Sequence, residues 1–236
     1  MNDKDNPVAP PHPGGTITRI APQQRNPARV NIFLDGQFAL ALATQATEER
    51  GLRVGQLLTA ATVAELRAAD ELGKAVDKAL AFLTVRPRSI REVRDRLAKK
   101  DLPPSVIDAV IARLAGWGYI GDEGFARYWI ENRGSNQPRG KRLLRQELWQ
   151  KGVARETVDQ ALADTALDED ADALALARKR LPQLRALDEP TQRRRLGAYL
   201  QRRGYDWPTA KRALDALLTP GDEDESEPLG DSDSYV

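Results

Sequence analysis

Residues 140–165 read GKRLLRQELWQKGVARETVDQALADT, and two further stretches of the chain repeat this pattern. Residues 89–114 (SIREVRDRLAKKDLPPSVIDAVIARL) and residues 192–217 (QRRRLGAYLQRRGYDWPTAKRALDAL) align with it without gaps, at offsets of 51 and 52 residues. Apolar residues coincide in four columns: Val93, Leu144 and Leu196; Leu97, Leu148 and Leu200; Leu102, Val153 and Tyr205; Val110, Ala161 and Ala213. These columns predict two amphipathic helices in each stretch.

The turn between the two helices is also repeated. Asp101, Gly152 and Gly204 occupy one column, and Gly, or less readily Asp, accepts the left-handed conformation that ends a helix. A further helix precedes each pair, over about 71–85, 122–133 and 168–181. Any two amphipathic helices can be aligned by eye, but here the turn and both apolar faces recur in one register. The sequence therefore predicts a mainly α fold of three tandem three-helix repeats in an elongated, curved array.

A short β region precedes the repeats. Residues 29–34 and 37–42 alternate in polarity on either side of Asp35-Gly36, a strong hairpin signal. Such a hairpin needs support, for which Leu57, Leu58, Val63 and Leu66 are the expected contacts. From the N-terminus, the chain is predicted to comprise a disordered segment 1–15, a small β-hairpin plus helix region 16–70, three-helix repeats at 71–116, 117–166 and 167–219, and an acidic disordered tail 220–236.

Composition excludes several classes of protein. The 236 residues contain no Cys and a single His, His12, so disulfides, thiolate chemistry and multi-His metal sites are excluded. No nucleophile–base pair is evident, and we expect neither enzymatic activity nor a cofactor. No apolar run approaches the ~18–20 residues of a membrane span, and no signal peptide is evident, so a cytoplasmic protein without a membrane partner is expected.

The net charge of +1 hides a segregated pattern. Residues 1–77 carry −1, residues 78–219 carry +9, and residues 220–236 carry −7. Such asymmetry favours an interaction with nucleic acid or another acidic partner. The acidic tail, 220–236, is also a candidate to fold back on the basic residues of 78–219. In that case we expect truncation after Thr219 to strengthen the binding of a partner at low salt.

The basic residues recur at the repeat offsets. On a helical wheel Arg91 lies opposite the apolar stripe, and Arg94 lies on its flank. The repeated basic residues, here called the basic row, have three possible interpretations: a solvated face, a phosphate-binding surface, or a surface that docks on an acidic protein groove. The candidate binding residues are Arg88, Arg91, Arg94, Lys100, Arg139, Arg142, Arg145, Lys151, Arg194 and Arg203.

Two other clusters have alternative readings. The aromatic-rich residues 117–129 can stack on nucleic-acid bases or lie in the core, and the spacing of Phe125 and Trp129 favours the core. The acidic residues 168–172 can bind a metal or occupy the first turn of a helix, where the helix dipole favours carboxylates. We favour the helix turn.

Residues 118–129 (GYIGDEGFARYW) and 139–153 (RGKRLLRQELWQKGV) closely resemble the RecX family of regulators of the RecA recombinase. The resemblance covers about residues 70–218, with departures at Gly121, Gly124 and Asp101. It implies nine helices in three repeats and a non-enzymatic protein that binds the RecA–DNA filament. It further implies inhibition of RecA ATPase and strand exchange, and so a role in homologous recombination, DNA repair and the SOS response.

The resemblance supplies a partner that the residues alone do not. We therefore expect a monomeric regulator of the RecA filament, with single- and double-stranded DNA as further partners. The alternative is a helical repeat protein that binds DNA directly through phosphate contacts.

Overall fold

A computed structural model describes residues 12–136 and 138–218. The chain divides into two units, which are described separately. The first comprises Met1–Arg86 and Val93–Tyr119, and the second comprises Pro87–Glu92 and Ile120–Val236. Residues 1–11 of the predicted N-terminal disordered segment and the whole of the predicted acidic tail, 220–236, lie outside the described residues. None of the described helices combines the length and apolar character needed to cross a membrane.

The first unit begins with an antiparallel sheet of four strands. In chain order these elements are β1 (Gly14–Gln23), β2 (Asn26–Leu34), β3 (Gln37–Ala43), the short helix α1 (Thr44–Glu49) and β4 (Leu57–Thr59). The sheet order is β3-β2-β1-β4. The predicted hairpin is formed by β2 and β3; β1 pairs with β2, and β4 pairs with β1. Gly14 and Gly15, assigned to the disordered terminus from composition, instead pair with β4.

The hairpin forms at the predicted turn. Asp35 and Gly36 both have positive φ, 47° and 83°, as a two-residue turn that follows the strand twist requires. A register shift between Ile32 and Phe33 breaks the simple alternation along β3. As a result Ala39 is buried and Phe38 is 38% exposed, although the alternating pattern placed Phe38 with the buried residues.

The inner face of the sheet packs on the start of the helical region. Its core contains Ile17, Ile32 and Leu34 with Leu58, Val63 and Leu66, as expected for the last three. The prediction that Leu57 also packs in this core is wrong. Leu57 points away from the core in β4 and is 71% exposed.

Nine α-helices follow within the described part of the chain, as the repeat predicts. They are α2 (Ala60–Leu83), α3 (Ile90–Ala98), α4 (Pro104–Gly116), α5 (Asp122–Asn136), α6 (Lys141–Gln150), α7 (Arg155–Asp164), α8 (Glu169–Arg180), α9 (Glu189–Arg202) and α10 (Trp207–Leu218). A 3-10 helix, Leu181–Leu184, extends α8. The helix expected within the region 16–70 and the first repeat helix, expected over about 71–85, are one continuous element, α2. The Thr59 hydroxyl caps its start by accepting the Thr62 N–H.

The turns and apolar columns of the repeats are confirmed. Asp101, Gly152 and Gly204 have φ of 57°, 85° and 94°. The apolar columns are buried except at Leu102, which is half-buried. Leu144, Leu148, Val153 and Ala161 lie in one core, and Leu200, Tyr205 and Ala213 lie in another. The mainly helical fold class with a small N-terminal sheet is therefore confirmed.

Candidate functional site

The first turn of α3 is held by the turn that follows α6, and both segments belong to the second unit. Ser89 and Glu92 form a capping box, in which the Glu92 N–H donates to Ser89 Oγ over 3.1 Å and the Ser89 N–H donates to Glu92 Oε2 over 3.3 Å. Ser89 Oγ also donates to the Lys151 carbonyl at 2.7 Å. Lys151 Nζ in turn donates to Glu92 Oε1 at 2.7 Å. Lys151, a predicted binding residue, therefore joins two repeats within the chain.

Arg91 has a role at the same junction. A β-carbon added to Gly152 would lie 2.5 Å from Arg91 Cδ, so the aliphatic part of the arginine packs on the glycine backbone. Gly152 is required twice, once for its φ of 85° and once for this close approach.

The equivalent positions form the next junction, between the second and third repeats. The Gly140 N–H donates to the Arg203 carbonyl at 3.0 Å, as Ser89 does to Lys151. Arg142 Nη2 donates to the carbonyl of Gln201 at 2.5 Å. Gly140 lies against the backbone of Gly204, where a β-carbon has no room. The side chains of three candidate cations, Arg91, Arg142 and Lys151, thus contribute to repeat-to-repeat packing, whereas Arg203 contributes its backbone carbonyl.

Arg139 lies in a half-buried cluster around Glu147. Both Arg139 and Arg133 pair with this carboxylate, and Trp129 Nε1 donates to it at 2.8 Å. Burial, together with the charges of Arg133 and Arg203, lowers the pKa of Arg139 from its usual value. Trp129 is therefore a half-buried hydrogen-bonding residue beside the core, whereas Phe125 is buried as predicted.

The other candidate cations lie nearer the solvent. Arg94 pairs with Asp108 at 2.5 Å, and Arg145 pairs with Asp159 at 2.8 Å. These pairs are well exposed and therefore contribute little to stability. Lys100 and Arg194 are exposed and make no ion pair with the residues that the structure describes. Arg88 is half-buried.

The third repeat carries further exposed cations that are not among the candidate binding residues predicted from the sequence. Three of them, Arg178, Lys179 and Arg180, form the last turn of α8, where the helix dipole favours positive charge. Arg185 and Arg195 are also exposed. The sequence prediction considered only basic residues that recur at the repeat offsets. Clustering of basic residues at the end of a predicted helix is the signal that identifies Arg178, Lys179 and Arg180.

The acidic residues 168–172 begin α8, as the favoured reading predicted. Asp168 caps the helix by accepting the Ala171 N–H at 3.0 Å. Glu169 accepts the Lys141 N–H at 2.8 Å, and Asp170 pairs with Arg212 at 2.6 Å. Burial, with the charges of Asp168 and Glu169, raises the pKa of Asp172. Among the described residues no group of three acidic or histidine side chains is placed to hold a metal.

Comparison with known proteins gives matches along most of the chain. Family models match in order: the regulatory protein RecX N-terminal domain at residues 15–59, and the first, second and third three-helix domains of RecX at residues 75–114, 122–162 and 168–214. The regulatory protein RecX of Bacillus subtilis (strain 168) is 33% identical over 209 residues, covering 88% of this chain and 79% of the relative. The regulatory protein RecX of Lacticaseibacillus casei (strain BL23) is 33% identical over 214 residues, covering 89% and 80%.

Two solved structures share the fold. A crystal structure of regulatory protein RecX has a TM-score of 0.72 at 25% identity, covering 85% of this chain and 98% of the other. The crystal structure of RecX from Lactobacillus salivarius has a TM-score of 0.59 at 20% identity, covering 63% and 97%, and supports the fold alone.

Proposed function

Because the chain belongs to the RecX family of regulatory proteins, we propose that it binds the RecA–DNA filament and inhibits its ATPase and strand exchange. The protein then modulates homologous recombination, DNA repair and the SOS response in the cytoplasm, without catalysis of its own. The observation that carries the proposal is the match of all three three-helix domains, in order, over residues 75–214.

Repetition supports binding to a filament, which is itself repetitive. Each three-helix domain offers its own contacts, and linkage raises the effective concentration of the second and third domains once the first has bound. Weak contacts thereby add to a usable affinity. Inhibition requires in addition that the protein bind one state of the filament better than another, because a ligand shifts an equilibrium only by its difference in affinity between the states.

The cations divide into two groups under this proposal. The side chains of Arg91, Arg142 and Lys151 contact the neighbouring repeat, so their substitution changes folding as well as binding. Arg194, with its neighbour Arg195, is exposed and makes no ion pair with the described residues. A change at these two positions therefore tests binding without a predicted loss of structure.

The test measures RecA ATPase on single-stranded DNA and filament length by electron microscopy, with and without the protein. The wild-type chain is expected to lower the ATPase rate and shorten the filaments. The double variant R194E/R195E is expected to inhibit less, since it reverses two charges on α9. The control R50E/R53E makes the same change of charge at exposed positions of the first unit and is expected to inhibit normally.

The wild-type chain and the variant test different parts of the proposal. Unchanged ATPase and filament length with the wild-type chain contradict the proposed function. Full inhibition by R194E/R195E leaves the function standing and removes α9 from the contact surface. Circular dichroism of each variant checks that the helices are intact.

Direct binding to DNA is the second candidate function. It is favoured by the exposed cations Arg178, Lys179 and Arg185 at the end of α8 and after it, because Arg and Lys are the residues that neutralise phosphates. Fluorescence anisotropy with labelled single- and double-stranded DNA, without RecA, tests it. A steep fall of affinity with salt indicates phosphate contacts; negligible binding at moderate salt leaves the protein surface of the filament as the main partner.

A further inference from the structure

The segment that ends α8 and follows it carries positive charge only. Residues 173–187 contain four basic residues and no acidic one. The four basic residues, called the α8 cations below, are Arg178, Lys179, Arg180 and Arg185. All four are exposed, and none of them makes an ion pair with the residues that the structure describes. Their charges repel one another, and an acidic group placed among them relieves that repulsion.

Other cations of the third repeat are matched by carboxylates. Arg193 pairs with Asp215, and Lys211 pairs with the same carboxylate at 2.9 Å. Arg212 pairs with Asp170 at 2.6 Å. The α8 cations differ from these three residues, because the described part of the third repeat supplies them with no acidic partner.

The acidic tail, 220–236, carries the opposite charge. It contains seven acidic residues and no basic one. Five of the seven lie close together in the sequence, namely Asp222, Glu223, Asp224, Glu225 and Glu227. Blocks of like charge of this kind are typical of interaction tails. The tail therefore has the charge and the charge density that the α8 cations call for.

The end of α10 places the start of the tail beside the α8 cations. Leu218, the last described residue, packs with Leu181 and Leu184 in one apolar cluster. Leu181 directly follows one α8 cation in the chain, and Leu184 directly precedes another. The first carboxylate of the tail is four positions after Leu218, a span of at most about 14 Å. The tail thus begins within reach of the cations that lack a partner.

We infer that the acidic tail docks on the α8 cations of its own chain and competes there with the phosphates of DNA. This inference rests on the direct binding to DNA argued above as the second candidate function, and it adds the regulation of that surface. Each exposed ion pair contributes little by itself, but a short connection raises the effective concentration of the tail to about the millimolar range. The competition is strongest at low salt, where exposed charges are least screened.

Docking of the tail is tested by NMR on the full-length chain, without DNA or RecA. The chain contains no Cys, so Ser226→Cys provides a single attachment site for a nitroxide label among the tail carboxylates. The label is expected to broaden the backbone amide signals of the α8 cations at about 50 mM salt and to broaden them much less at about 300 mM. An isotope-labelled chain mixed with a nitroxide-labelled chain is expected to show no broadening; broadening in that mixture assigns the tail to a second copy and overturns docking within one chain.

The matched control carries the same label on a neutral tail. Its five clustered carboxylates are replaced by amides in the variant D222N/E223Q/D224N/E225Q/E227Q. Because the length of the connection is unchanged, broadening that comes from proximity alone remains in this control. The wild-type tail is expected to give stronger broadening than the neutral tail, and equal broadening overturns the inference.

Charge reversal tests which cations hold the tail. The variant R178E/K179E is expected to abolish the difference between the acidic and the neutral tail. R178Q/K179Q acts in the same direction without placing carboxylates at the C-terminal end of the helix dipole. The variant R194E/R195E reverses two exposed charges of α9 in the same repeat and is expected to preserve the difference. The opposite result overturns the assignment of the tail to the α8 cations, and circular dichroism checks that each variant is folded.

Fluorescence anisotropy with labelled single- and double-stranded DNA measures the competition. The neutral-tail variant is expected to bind DNA about three- to tenfold more tightly than the wild type at about 50 mM salt and less than about twofold more tightly at about 300 mM. In the R178E/K179E background, neutralising the tail is expected to have no such effect, whereas in R194E/R195E the effect remains. An unchanged affinity in the neutral-tail variant overturns the competition.

Failure of the underlying function is distinguishable from failure of the inference. If neither the wild type nor the neutral-tail variant binds DNA, direct DNA binding fails and the competition fails with it. The NMR comparison of the acidic and neutral tails still decides the contact with the α8 cations in that case. Inhibition of RecA ATPase is measured separately and decides the proposed filament function.

Discussion

The hydroxyl of Ser89 donates a 2.7 Å hydrogen bond to the carbonyl oxygen of Lys151, 62 residues along the chain. The Gly140 N–H makes the equivalent bond to Arg203 at 3.0 Å in the next pair of repeats. One junction is therefore built twice, with a side-chain donor in one copy and a backbone donor in the other. Because repeat proteins depend on nearest-neighbour interfaces for stability, these junctions are the positions where small substitutions have large effects.

Gly152→Ala tests the contact with Arg91. The substitution is expected to cost more than the ~1–2 kcal/mol of a left-handed non-glycine residue, since the new methyl group also displaces the arginine. Urea unfolding of the variant gives the loss. Gly118→Ala is the control, because Gly118 also has a positive φ but a β-carbon there meets nothing within 4 Å. Equal losses at the two positions would show that the arginine contact carries no energy.

Gly140→Ala is expected to be more severe than Gly152→Ala. The added β-carbon meets the backbone of Gly204, which cannot swing aside as the side chain of Arg91 can. We expect a loss of about 3 kcal/mol or more in the free energy of unfolding, with early proteolysis of the third repeat. Gly73→Ala, in the open middle of α2, is expected to stabilise the protein by about 0.5–1 kcal/mol. An unchanged free energy of unfolding in Gly140→Ala would contradict the close contact of Gly140 with the backbone of Gly204.

Tyr205→Phe tests a buried hydroxyl. Tyr205 is 1% exposed, and its hydroxyl has no hydrogen-bond partner among the described residues. Burial, with the nearby charges of Asp172 and Glu169, raises the pKa of Tyr205 well above its ordinary value. Because an unpaired buried hydroxyl costs about 1–3 kcal/mol, the phenylalanine variant is expected to be at least as stable as the wild type in thermal and urea unfolding. A clear destabilisation would reveal a hydrogen bond to this hydroxyl.

Asp206→Ala tests the N-terminal cap of α10. The carboxylate accepts the Thr209 N–H at 2.8 Å, and the hydrogen bonds from Thr209 lower the pKa of Asp206 from its ordinary 3.8. At pH 7 the variant is expected to lose about 1 kcal/mol, as for other caps. The lowered pKa means that the carboxylate stabilises the fold above pH 3.8 and ceases to do so as the pH falls through the folded-state value.

Urea unfolding of wild type and Asp206→Ala between pH 7 and pH 2 checks this dependence. The difference between them is expected to shrink at acid pH. Asp206→Asn provides the control, since an amide oxygen caps without titrating. A difference that stays constant over the whole range would exclude the charge as the source of the stabilisation.

Local chemistry explains which features could be read from sequence. The capping box of Ser89 and Glu92, the cap at Asp206 and the turn at Asp35-Gly36 all depend on residues within four positions of each other. Their geometry follows from residue type and spacing alone. The alternation along β3 was misread at Phe38 because a register shift is a property of two paired strands, which one strand's pattern does not show.

The sequence by itself determined the repeat, its helix–turn–helix units, the caps and the left-handed turns, because apolar periodicity and glycine positions act within a few residues. Only the tertiary structure decided how each repeated cation is used. Arg142 occupies the same repeat position as Arg194, and Lys151 the same position as Lys100. Only Arg142 and Lys151, however, form hydrogen bonds to residues 59 positions away. Pairing across such separations depends on which helix ends meet. Helix ends meet where Gly140, Gly152 and Gly204 let the backbone approach closely enough.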